Sequence, residues 1–155
     1  MSVVLTLTSC AIIAGLSITQ TASMALIVQD NDELEENINE GLETQFVDTQ
    51  ILLKTLQGFD CHFTQVNENQ INVQTTCGNL IYQRGAVGEA YKLYLDEIND
   101  VEGLVQNIRS FEFDYGRNVQ AYTYDHIKKN LTDDMTIVED ELLEDDSLYL
   151  TINIE

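Results

Sequence analysis

Four side chains carry metal-ligand chemistry: Cys61, His62, Cys77 and His126. A structural zinc site would need them to converge as a tetrahedron of thiolates and imidazoles. Cys61 and His62 are neighbours, however, and neighbours on a strand point to opposite faces, so buried free thiols and no metal are expected. The cysteine total is three, Cys10, Cys61 and Cys77, with no Cys-x-x-Cys pair. Such a sparse, odd set fits a reducing cytoplasm better than a disulfide framework. Asp30, Asn31 and Asp32 open like a calcium loop, but Glu35 stands where the sharp turn needs glycine. Gly85-Ala86-Val87-Gly88 lacks the Lys-Ser/Thr that completes a phosphate-binding loop and reads as a turn. His126 would need an orienting carboxylate to act as a base, and Asp125 projects from a different side of a helix, so a half-buried packing role is expected. The 27 Asp and Glu residues offer no spacing that selects an acid/base pair. No catalytic, cofactor-binding or metal residues follow, and a non-enzymatic role is expected.

Collectively the acids say more. Residues 30–53 carry eight acids and no base, 54–129 ten and seven, and 130–155 nine and none, so local net charges of −8, −3 and −9 make up the total of −20. Repulsion disfavours direct contact with a nucleic-acid backbone. Glu139, Asp140, Glu141, Glu144, Asp145 and Asp146 are the expected docking surface for a basic partner. Two other readings of the same charge stay open: a solvated face that maintains solubility, and an acidic decoy of a nucleic-acid-binding protein.

These groups must be positioned by a chain that begins with 26 uncharged residues, Val3 to Val28. Heptads from Val4 place Val4, Ala11, Ile18 and Ala25 on one seam position and Leu7, Ala14, Thr21 and Val28 on the other, the period of a helix. Val4, Leu7, Ala11, Ala14, Gly15, Ile18, Ala22 and Ala25 are the expected helix-packing residues, small enough along much of the seam for close backbone approach. A secretory signal would begin with Lys or Arg, and Met1-Ser2 supplies neither. The lipoprotein reading of Leu7-Thr8-Ser9-Cys10 lacks a basic start and a longer apolar core. A single-pass anchor has the length but no flanking positive charge to orient it. An assembly helix buried against other protein, or between copies, is the leading expectation, with the membrane anchor as its alternative.

Residues 30–43 read as an acidic linker, and residues 44–155 as one domain. Phe46 to Leu56 show a helical apolar face, with Thr44 as cap and Gly58 as stop. From Cys61 to Leu95 apolar residues recur at every second position, which predicts four antiparallel strands. Two helices follow, one bearing Val101 to Phe111 and the other, beyond Gly116, Val119 to Leu131. Met135–Val138, an acidic turn and an alternating strand over Leu148–Ile154 close the chain. The expected fold class is α+β, an antiparallel sheet covered by helices and preceded by a long apolar N-terminal helix.

Three segments carry a resemblance: the strand Glu89-Ala90-Tyr91-Lys92-Leu93-Tyr94-Leu95-Asp96, the helix bearing Ala121-Tyr122-Thr123-Tyr124-Asp125-His126-Ile127, and the final Asp146-Ser147-Leu148-Tyr149-Leu150-Thr151-Ile152 strand. Over residues 44–155 the chain resembles the plastid and cyanobacterial family called hypothetical chloroplast reading frame thirty-five. The apolar extension, the acid load and the terminal Glu155 in place of a basic-aromatic pair depart from that pattern. The family has no assigned catalytic residues. Its bacterial relatives are often encoded beside AAA-type ATPases, which implies an accessory to such a machine. The expected role is an assembly or adaptor subunit that self-associates or joins a protein complex, cytoplasmic or membrane-associated.

Overall fold

The structure, a computed structural model, describes residues 1–7 and 41–155. Its elements run β1 (Ser2–Leu7), β2 (Leu42–Glu43), α1 (Thr49–Gln57), β3 (His62–Asn67), β4 (Gln70–Thr75), β5 (Gly78–Gln83), β6 (Lys92–Asp96), α2 (Val101–Lys129), β7 (Met135–Leu142) and β8 (Leu148–Ile154). The strands form two antiparallel sheets, of order β2-β6-β5-β4-β3 and β1-β8-β7. The chain divides into two units, residues 16–115 and residues 1–15 with 116–155, and the division falls within α2.

In the unit of residues 16–115, the period-two pattern becomes cross-strand rows. Ile71, Tyr82 and Leu93 stand opposite one another and continue to Leu42, while Val73, Leu80 and Leu95 form the next row. All seven are buried. α1 buries Ile51, Leu52, Thr55 and Leu56, and is capped by Asp48, whose carboxylate accepts the Ile51 N–H at 3.0 Å. Phe46 joins the layers as the centre of an aromatic cluster, 5.9 Å from the Tyr82 ring, 5.3 Å from Phe111 and 4.6 Å from Tyr115. The β4–β5 turn requires Gly78: its φ is +142°, and a Cβ there would lie 2.7 Å from Ile98.

Arg84 ties the loops of this unit together from the inside. Its guanidinium is buried, and all five N–H donors are engaged: Nε with Asn69 Oδ1, Nη1 with the Val47 and Glu89 carbonyls, Nη2 with Thr49 Oγ1 and the Glu68 carbonyl. Its Cζ lies 4.5 Å over the Tyr91 ring. The Tyr91 hydroxyl in turn reaches the Glu68 carbonyl at 3.1 Å and Thr49 at 2.8 Å.

In the other unit, β8 is the central strand. Leu150 and Ile152 face inward and are buried, opposite Leu5 and Val3 on β1 and Asp140 and Ile137 on β7. The buried Gln120 on α2 donates to the Leu7 carbonyl at 2.8 Å and the Asp146 carbonyl at 2.9 Å, joining strand, turn and helix.

Four expectations are corrected. The long helix lies in the C-terminal half, at Val101–Lys129, and the N-terminal helix does not begin at Val4, because Ser2–Leu7 is a strand. Val3, Val4 and Thr6 are β-branched and suit a pleated surface, and β8 offers them a complementary alternating edge. Val4 and Leu7 therefore share no seam: Val4 pairs with Thr151 on the open face and Leu7 with Leu148 on the covered one. Ala11, Ala14, Gly15, Ile18, Ala22 and Ala25 lie outside the described residues, as do Cys10 and Asp30-Asn31-Asp32. The two helices expected after Asp100 are one, because Leu104, Ile108, Phe111, Tyr115 and Val119 stay in phase through Gly116. A single helical glycine costs only about 1 kcal/mol. Thr44 is not a cap; its hydroxyl donates to the Tyr91 carbonyl and accepts the Phe46 N–H, while Leu42–Glu43 adds a short edge strand beside β6. Finally, the fold is not one sheet under helices but two sheets in two units, with β7 running on to Leu142 past a bulge at Val138.

Two substitutions test this architecture. Arg84→Lys offers three donors in place of five, so at least two acceptors lose their partner and stability should fall by about 2–4 kcal/mol, read from the urea midpoint. Ile152→Asp should cost several kcal/mol by burying a carboxylate, and unchanged cooperative melting would remove β8 from the core.

Candidate functional site

The acidic surface is built on β7, which has β8 on one side and stands at the edge of its sheet. Alternation sorts its side chains. Glu139 and Glu141 pair with Thr151 and Tyr149 on the open face, whereas Asp140 pairs with the buried Leu150 and faces α2. There the Tyr124 hydroxyl donates to Asp140 Oδ2, and that bond, more than burial, raises the phenol above its ordinary value. In the turn, Asp145 accepts the Ser147 hydroxyl and the Ser147 N–H at 3.0 Å, which holds its carboxyl below the usual range. Asp146 occupies the left-handed region at φ +62°, a conformation that aspartate tolerates better than most residues. The six docking residues are thus divided in role: Asp140, Asp145 and Asp146 build the hairpin, and Glu139, Glu141 and Glu144 point their charge outward.

Exposed apolar side chains sit among these acids. Val138, extruded by the bulge, is 60% exposed, and Leu142 is 56% exposed. Val138 also borders an open cleft of about 280 Å³ between β7 and the Tyr124–Lys128 stretch of α2. Lys128 Nζ lies 5.2 Å over the Tyr124 ring at its wall. Charge counting foresees the acids, but the bulge that exposes Val138 has no signal in the sequence.

No family model matches the chain, and neither the curated proteins nor the solved structures yield a match.

Among the described residues no group of three or more His, Cys, Asp or Glu side chains is arranged to hold a metal ion. Cys77 is buried at the start of α2, accepting from Asn107 Nδ2 at 3.5 Å with Asp100 Oδ2 3.9 Å away. The Cys61 thiol donates to the Leu56 carbonyl at 3.5 Å, and burial, then the Asp60 charge, pushes its pKa up. His62 and His126 are exposed. His126 is therefore not the half-buried residue expected; its ring stacks on Tyr122 at 6.2 Å.

A second feature, in the unit of residues 16–115, was not anticipated. α1, α2 and the sheet line an open-mouthed cavity of about 260 Å³. Its floor is buried and apolar, with Leu56, Val73, Leu80, Leu104, Ile108 and Phe111, and its mouth carries the exposed Asp60, Thr76 and Asn107. The apolar floor residues read from the sequence as core, so only packing could expose the space.

Glu112 on α2 is pushed up to about 8, chiefly by burial, with Arg109 opposing the shift. It lies near enough to Tyr82 to help raise that phenol, after burial and Cys61. A carboxyl that holds its proton more tightly when folded stabilises the native state fully below its ordinary pKa of 4.5, and this stabilisation is lost as pH rises through about 8. The urea midpoint should therefore fall between those limits, and Glu112→Gln should flatten that part of the fall. Parallel pH profiles for parent and variant would remove Glu112 from the linkage.

Proposed function

We propose that this chain is a non-enzymatic adaptor subunit that docks a basic, partly apolar segment of a partner along the β7 edge. One observation carries the reading: along the β7 edge and its turn the exposed Val138 and Leu142 lie close in sequence to the outward Glu139, Glu141 and Glu144, with Leu142 on the Leu148 side of the strand and Glu139 and Glu141 on the other. An exposed edge strand offers unpaired backbone groups to an added strand, and alternating side chains supply selectivity. Acids accelerate the encounter with a basic partner, and apolar anchors retain it. An AAA-type ATPase is the machine that such an adaptor would serve in this proposal.

A fluorescent peptide of alternating lysine and valine serves as the probe. The triple variant Glu139→Gln, Glu141→Gln, Glu144→Gln should slow its association about tenfold at low salt and flatten the salt dependence. Asp140→Asn should leave association near the parental rate, because Asp140 faces Tyr124. Val138→Ser should act mainly on dissociation. Equal association of the parent and the triple variant would defeat this reading and leave the acids as a solvated face.

A further inference from the structure

The cavity in the unit of residues 16–115 lies outside the β7 surface and owes nothing to it. From its lining we infer that it is a binding site for a small arylalkylamine-type ligand: one aromatic ring on a short chain that ends in an ammonium group.

Size sets the first limit. An apolar cavity of about 150 Å³ accommodates benzene. The present space of about 260 Å³ therefore admits a single ring and a short tail. The floor selects a ring. Phe59, Tyr82 and Phe111 all contribute to the lining, with the Phe59 and Phe111 rings tilted at 5.2 Å and the Tyr82 and Phe111 rings stacked at 6.1 Å. A planar ligand extends such a cluster in the offset and edge geometries that aromatic groups prefer. Water is a poor alternative for the floor, since a buried water needs two to four polar partners and the deep lining is almost wholly hydrocarbon.

The mouth selects the head group. Among the described lining residues Asp60 alone carries a formal charge, and it is exposed. Asn107 gives one of its two amide N–H groups to Cys77 and keeps its carbonyl as an acceptor at the rim. Thr75 donates to the Gly78 carbonyl, and Cys61 donates to the Leu56 carbonyl, so both spend their donors inside the protein. The mouth therefore offers the Asp60 charge and the Asn107 carbonyl to a ligand, and suits a cation that donates hydrogen bonds. A total charge of −20 adds a field of the same sign. An anionic ligand would meet repulsion from Asp60 at the mouth.

Three probes that share one ring and a two-carbon chain separate the contributions: phenethylamine, 2-phenylethanol and 3-phenylpropionate, titrated into the full-length chain by calorimetry and by NMR of the Leu104 and Ile108 methyl groups. Phenethylamine should bind about tenfold more tightly than the alcohol, the carboxylate should bind least, and the methyl resonances should shift with saturation. Asp60→Asn, at an exposed position, should reduce the amine to the affinity of the alcohol without affecting the alcohol itself. Thr76→Trp, also exposed, should close the mouth to both. Equal affinity of amine and alcohol for the parent, or amine binding that leaves the floor methyl groups unshifted or survives Thr76→Trp, would overturn the inference.

Discussion

The unit of residues 16–115 depends on one buried cation. Arg84 enters the interior with no carboxylate among its five acceptors; neutral oxygens satisfy every donor and the Tyr91 ring lies against the guanidinium plane. Charge-assisted bonds to neutral acceptors are stronger than ordinary ones, and guanidinium tolerates partial dehydration better than ammonium. The acceptors come from the β3–β4 turn, the stretch before α1, the first residue of α1 and the β5–β6 loop. Segments distant in sequence thus share one anchor, and the backbone oxygens that the loops could not pair with each other are satisfied.

Gln120 performs a smaller version of this task in the other unit. A neutral amide suffices there because only two carbonyls, of Leu7 and Asp146, must be joined to α2. The acids of the same hairpin divide by geometry in a way that composition conceals. A carboxylate held by Tyr124 or Ser147 shapes the hairpin, while a carboxylate on the opposite side of the strand is left to meet a partner. Alternation along β7 makes this division, and the bulge at Val138 shifts its phase, so Glu139 and Glu141 share the open face.

The cavity and Glu112 show how the first unit uses imperfect packing. α2 brings Leu104, Ile108 and Phe111 to the sheet but leaves a space with a polar mouth, and one turn away it holds a carboxyl in surroundings dry enough to favour the proton. Both features reduce stability relative to a filled, apolar interior, and natural cores retain such flaws most often where binding or switching occurs.

The strands between His62 and Asp96, the helix ending at Gly58 and the strand at Leu148–Ile154 are all legible in the sequence, because burial on one face of a strand or helix writes its period into neighbouring residues. The acid load of the last 26 residues is legible for the same local reason, as is the absence of a complete zinc or phosphate-loop pattern. Ser2–Leu7 could not be settled locally: its β-branched residues suit a strand, its heptad spacing suits a helix, and the choice rested on β8, some 140 residues away. The unbroken α2, the split of the chain within it, the environment of Arg84 and the cavity are likewise tertiary. Each depends on which distant surfaces meet and how well they fill the space between them, and a local pattern of apolar and polar residues carries no record of either.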